Sequence, residues 1–214
     1  MIKQYLLTSF LLLFISSFSF CQDSIQVKSN KSVVPFYKWE VGIDLLPLVD
    51  KAKDAYGYVL KRNYELASGR KALRLKVWPR FLVNPGTGVG GAVGTGEEKQ
   101  TSINLALGYE RQKLYGHFAV LYGLEPYFHY SLIRVLVIPS GLEAIRQEET
   151  RLGVAGFIGG RYYVGSHLSF TLESHLVYQY RDFSGNQQNV ASYFQRTHQL
   201  FIEPIHALYV SYQF

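Results

Sequence analysis

A serine nucleophile needs a histidine base within hydrogen-bond reach and an acid to orient that base. The nearest approach to that constellation in this chain is His167-Leu168-Ser169, with Glu173 four residues on. On a strand, His167, Ser169 and Glu173 would share one side, so acyl hydrolysis or transfer is a chemistry to weigh. Ser174 and His175 are adjacent and would point to opposite faces of the same strand. His129 and His206 have no evident nucleophile beside them. Gly86-Thr87-Gly88-Val89-Gly90-Gly91 fits G-x-G-x-x-G, but that motif cradles a pyrophosphate only between a strand and a helix N-terminus. Here an alternating segment from Ser102 follows, so the glycines read as a surface loop. The six histidines (His117, His129, His167, His175, His198, His206) are scattered without recurrent ligand spacing. The sequence thus assigns no catalytic residue, no cofactor and no metal.

The elements that would have to position such groups are strands. The chain has 214 residues, 48% hydrophobic, 15% aromatic and 18% charged, with a net charge of +6. That length suits one domain, or one small domain with an appendage. The apolar content excludes a disordered chain. Past the N-terminal segment no apolar run approaches the roughly 20 residues of a spanning helix. What recurs is period-two alternation, the mark of strands with two unlike faces.

Around Trp39 one face carries Tyr37, Trp39, Val41, Ile43 and Leu45, and the other Lys38, Glu40, Gly42 and Asp44. Leu73, Leu75 and Val77 oppose Arg74 and Lys76. Ile103, Leu105, Leu107 and Tyr109 oppose Asn104, Ala106, Gly108 and Glu110. Phe118, Val120, Tyr122 and Leu124 oppose Ala119, Leu121, Gly123 and Glu125. Leu152, Val154, Ile158 and Tyr162 oppose Gly153, Ala155, Phe157, Gly159 and Arg161. Leu168 to Tyr180 alternates against Ser169, Thr171, Glu173 and His175, and the chain ends with Leu208, Val210, Tyr212 and Phe214 against Ala207, Tyr209, Ser211 and Gln213. Around Tyr58 and Leu60 the pattern stumbles on Lys61-Arg62, which reads as a bulge or a rim.

Eight strands result. The apolar faces are aromatic-rich, whereas the others mix glycine and alanine with charges of both signs. A narrow closed barrel must fit its inward side chains into little space, which accounts for that second face. Lipid would cover the apolar face, with Tyr and Trp at the interfaces. The inward charges would be Lys38, Glu40, Asp44, Arg74, Lys76, Glu110, Glu125, Arg161 and Glu173, read as mutually satisfied ion pairs or, in the alternative, as a polar conduit.

Residues 1–21 have the order of a secretory signal peptide: Lys3, an apolar run from Tyr5 to Ile15, and small residues Ser19 and Cys21 at the cut. Acylation at Cys21 and an uncleaved anchor are the competing readings. Cleavage after Cys21 would leave 21 basic against 16 acidic residues and no cysteine, hence no disulfide framework. Residues 22–35 read as a flexible leader, with short sequons at Ser24 and Asn30 that chance explains, and residues 36–214 as the barrel. The connections alternate in length. Segments 67–70, 111–115 and 163–167 are brief, while 83–99, 131–150 and 182–199 are long. A barrel that begins and ends in the periplasm places short turns there and longer loops outside.

From Phe36 to Phe214 the chain resembles the small eight-stranded OmpA/OmpX-like outer-membrane β-barrels. The terminal run Leu208, Val210, Tyr212, Phe214 resembles the C-terminal aromatic signal read by the barrel assembly machinery. The resemblance implies an all-β, closed, antiparallel up-and-down barrel in the outer membrane of a Gram-negative bacterium. Its partners would be outer-membrane lipids and lipopolysaccharide, the assembly machinery and a protein partner in the same membrane; the basic balance suits lipid phosphates, not nucleic acid. Such barrels include lipid A deacylases, whose serine pattern continues with asparagine where this chain has Phe170. The reading that follows is a structural or interaction protein, such as an accessory subunit of an envelope complex, acting through its extracellular loops or a docked partner. A lipid A or phospholipid acyl hydrolase or transferase, and a narrow channel or small-ligand carrier, stand as alternatives.

Overall fold

A sheet with one apolar and one charged face can satisfy its charges by curling until the charged face meets itself. The computed structural model describes residues 34–50, 55–66, 69–88, 95–137, 143–187 and 190–214, and in them the sheet does curl. The strands are β1 (Trp39–Asp44), β2 (Tyr58–Leu66), β3 (Gly69–Gly88), β4 (Thr95–Tyr115), β5 (Phe118–Val137), β6 (Glu143–Val164), β7 (Leu168–Gln187) and β8 (Val190–Gln213). A four-residue helix, α1 (Leu46–Val49), follows β1. Every strand pairs antiparallel with its sequence neighbour, and β1 closes the ring on β8. Closure runs to the last residue: the Trp39 and Phe214 backbones exchange two hydrogen bonds of 3.0 Å.

One end of the ring carries the tight connections. Leu66 pairs with Gly69, Tyr115 with Phe118, and Val164 with Leu168. Gly116 takes φ 62° in the two-residue β4–β5 turn, a left-handed value that a β-carbon would strain. The segment 111–115, expected as a turn, instead belongs to β4, and the turn is Gly116-His117. At the other end, the stretches expected as long loops are mostly ladder. Pairing continues to Gly88↔Thr95, Leu136↔Glu143 and Gln187↔Val190. In these stretches apolar residues run together, as in Leu132-Ile133 and Val135-Leu136 on β5, so strand pairing there leaves no clean alternation to read. Of the bulge or rim expected at Lys61-Arg62, the bulge is absent, since β2 holds register with β3 from Tyr58↔Val77 to Leu66↔Gly69.

The faces fall as the alternation requires. Val41, Leu60, Leu75, Leu107, Leu124, Ile158, Leu172 and Leu176 stand exposed on the outer wall. On β7 the band runs from Leu168 to Tyr178, about 33 Å of strand at 3.3 Å per residue. At a tilt near 40° that is roughly 25 Å tall, the height of the apolar band on a membrane barrel. Inside, space is short enough to demand glycine. A β-carbon on Gly108 would lie 2.5 Å from Arg74 Cγ and 3.2 Å from Glu125 Cβ. Gly108→Val is therefore expected to cost about 1–3 kcal/mol through overpacking. The check is the urea midpoint of the folded, faster-migrating gel band, which should fall while Leu107→Val on the outer wall leaves it nearly unchanged.

Candidate functional site

Mid-barrel, four cations face four carboxylates, all buried. Arg74 on β3 is the hub. Its Nη2 donates to both Glu173 oxygens at 2.9 and 2.6 Å, its Nη1 to Glu110 at 2.9 Å, and its Nε lies 3.3 Å from Glu125. Lys76 donates to Glu125 and Glu173, each at 2.9 Å. Lys61 donates to Glu110 at 2.8 Å, and Arg161 to Glu40 at 2.9 Å and Thr171 at 3.0 Å. The Phe157 ring stacks under the Arg74 guanidinium at 4.2 Å. Charge balance within the cluster is what permits its burial, because an unpaired ion there would keep its desolvation cost without return.

Of the residues singled out from sequence, Glu40, Arg74, Lys76, Glu110, Glu125, Arg161 and Glu173 meet in this cluster. Two do not. Lys38 precedes the first paired residue of β1 and is exposed at the turn-end rim. Asp44 is buried, but its Oδ1 accepts the backbone N–H groups of Leu46 and Leu208 at 3.0 Å, fixing the exit of β1 against β8. Lys61 is a member that alternation missed. It points inward while Arg62 points out over the Trp39 and Tyr64 rings at 5.6 and 5.4 Å, so consecutive cations on opposite faces masked the period. Arg70, in the segment 67–70 expected as a short connection, is buried and donates to the Val34 carbonyl at 2.8 Å, where Val34 packs with Ala119, Leu121 and Tyr163.

On the hairpin side of the ion pairs the ladder breaks. Glu173 pairs with Ala207 and His175 with Glu203, so three residues of β8 (Pro204, Ile205, His206) face Ser174 alone. Proline has no N–H for a ladder, and the Pro204 carbonyl takes the Ser174 hydroxyl instead. The bulge turns His206 inward, where its ring stacks on His175 at 3.7 Å between centroids. Glu125 completes a trio whose ligand atoms lie within 4.8 Å of one another. A cavity of about 90 Å³ adjoins it, lined by Trp78, Asn104, Tyr127, His129, Gln179 and Glu203 among others. This grouping was illegible as spacing, because its members come from three strands and one of them is placed by a bulge.

The serine constellation does not assemble. Ser169 is buried with its hydroxyl unpartnered. His167 is held elsewhere, by the Tyr37 hydroxyl at 3.2 Å and the Gln213 carbonyl at 2.8 Å, and Glu173 belongs to the ion pairs. Gly86 and Gly88 end β3, and among the described residues β4, not a helix, comes next. His129 lies within β5, which runs seven residues further than expected, to Val137. Tyr212 and Phe214 of the terminal run stand exposed on the outer wall. Cys21, Ser24 and Asn30, with the signal peptide and most of the leader, lie outside the described residues.

Removing one partner of a buried ion cluster exposes the others to the full penalty. Arg74→Met is expected to cost about 3–5 kcal/mol, whereas Lys99→Met, in a half-exposed pair with Glu97, should change little. Urea unfolding in detergent, followed by tryptophan fluorescence, measures both.

No family model and no curated protein matches the sequence. Among solved structures, the chain is similar to a major outer membrane protein from Thermus thermophilus. The TM-score is 0.50 at 12% identity, over 84% of this chain and all of that one. The likeness is one of fold.

Proposed function

We propose that this protein is an outer-membrane β-barrel of structural or interaction type, built to present its hairpins outside the cell and its outer wall to lipid and to a protein partner. The observation that carries this reading is the pairing of an exposed apolar band roughly 25 Å tall with an interior closed by buried ion pairs. A wall of leucine and aromatic side chains facing outward all round is unstable in water and at home in hydrocarbon. The Thermus fold neighbour, itself an outer membrane protein, supports the same location.

The ion pairs disfavour a diffusion pore, since they fill the lumen an eight-stranded ring encloses. The unassembled His167, Ser169 and Glu173 give no support to acyl chemistry. What remains free to vary is the hairpin end, and loops or tips on a rigid scaffold are where binding function concentrates. In this reading Leu208, Val210, Tyr212 and Phe214 are presented to the barrel assembly machinery. Lipopolysaccharide surrounds the hairpin half, and the role is that of an accessory subunit beside a larger envelope complex.

The reading predicts that the protein fractionates with outer membranes and shows a heat-dependent gel shift. In planar bilayers it should give no stepwise, pore-sized conductance. Replacing the β7–β8 tip (184–194) by a two-residue turn should preserve the gel shift and release co-purifying protein from gently solubilised membranes. Stepwise conductance, or purification alone before and after the replacement, would overturn the interaction role.

A further inference from the structure

We propose that the barrel binds one Zn²⁺ or similar borderline divalent cation between Glu125 on β5, His175 on β7 and His206 on β8. Two imidazoles and a carboxylate are the donor set that suits such an ion, whereas calcium and magnesium prefer oxygen alone. For one pair of ligands the spacing is already close to what the ion needs. Zinc bonds of about 2.0–2.1 Å in a tetrahedron place ligand atoms roughly 3.3–3.4 Å apart, and His175 Nδ1 lies 3.5 Å from Glu125 Oε1.

The carboxylates behind the imidazoles strengthen the assignment. His175 Nε2 faces Glu173 Oε2 at 3.3 Å, and His206 Nδ1 is bonded to Glu203. Each ring therefore has one nitrogen held by an acid, leaving Nδ1 of His175 and Nε2 of His206 for a metal. Ligating histidines are oriented and made more basic by this arrangement. A metal lies in the plane of each imidazole, so the stacked rings must part by a turn of His206 about its side-chain bonds. The adjoining cavity of about 90 Å³ gives room for that turn and for a bound water. Asn104, whose buried Oδ1 has no hydrogen-bond partner, lines the same cavity and would accept a hydrogen bond from such a water. Lys76 is the competing cation on Glu125, at 2.9 Å, and it keeps Glu173 at the same distance when the metal takes Glu125.

The gain to the molecule is a cross-link. With one cysteine the chain has no intrachain disulfide, and the ladder is broken at Pro204, where the ion would tie β8 to β7 and β5. The trio lies inside the ring whatever surrounds the wall, so the site stands or falls independently of the membrane reading.

The test uses the untagged protein extracted from membranes in mild detergent, stripped with chelator and shown folded by its gel shift. Zn²⁺ alone is then titrated by calorimetry, with thermal unfolding in parallel. One ion per chain and a rise in Tm are expected. His206→Ala should abolish both, with His206→Gln as a second variant if the first does not fold. Glu203→Gln, which leaves all three ligands in place, should weaken binding roughly 10–100-fold. His198→Ala, at an exposed ring stacked on Tyr178, should change neither. Absence of Zn²⁺ binding by the folded protein, or unchanged binding and Tm shift in folded His206→Ala or His206→Gln, would overturn the assignment.

Discussion

A ring of eight strands encloses a space that side chains can fill and bulk water cannot, so each charge carried inward must meet its counter-charge across the lumen. That constraint fixes more than the pore. The ion pairs join strands that are not neighbours: Arg161 on β6 to Glu40 on β1, Lys61 on β2 to Glu110 on β4, Arg74 on β3 to Glu173 on β7. They act as struts across the ring, and each strut holds only in one register. A slip of one residue would turn Arg74 or Glu173 to the outer wall and bring a leucine inward. Backbone hydrogen bonds alone would tolerate a slip of two residues, since a ladder looks alike at every second residue. The charges do not.

The same constraint explains where the small residues fall. Gly108 yields the space that the Arg74 stem occupies, and Ala72, Ala106, Ala119, Ala155 and Ala207 are the inward positions between large polar groups. Toward the turn end the lumen changes character. Val34, Leu121 and Tyr163 form an apolar stopper, and Arg70 reaches the Val34 carbonyl to hold the incoming chain in it. Toward the hairpin end β1 and β2 stop early while six strands continue. The lumen there is bounded on one side by Trp78, which packs over Gly57 and meets His206 edge-on at 5.9 Å.

Much of this was legible because the side-chain period of a strand is two and the band is long. The inward placement of Glu40, Arg74, Glu110, Arg161 and Glu173 follows from counting alone. The departures have separate physical causes. Lys38 obeys the period yet sits beyond the last turn of wall, where water solvates it more cheaply than any partner could. Asp44 obeys it too, but two backbone N–H groups, of Leu46 and Leu208, lie nearer than any cation. Lys61 was hidden by Arg62, because two adjacent cations erase the contrast on which the reading depends. The hairpins were read as loops because hydrogen bonding, unlike burial, leaves no trace in hydropathy.

His206 is the instructive case. Counting back from Ala207, Tyr209 and Ser211, all inward, places His206 outward, and no composition argument reverses that. Pro204 does. Without an N–H it cannot continue the ladder, the strand bulges by two residues, and the last side chain of the bulge returns to the lumen. The break costs hydrogen bonds, and the chain recovers one through Ser174. What it obtains is a pair of imidazoles set against Glu125 and Glu173, the same carboxylates that Arg74 and Lys76 hold from the other side. The two halves of the interior are therefore not independent. Two carboxylates serve both the ion pairs below and the histidine pair above. Any group that draws Glu125 upward loosens Lys76 and Arg74, so the hairpin-side cavity is coupled to the register of the whole ring.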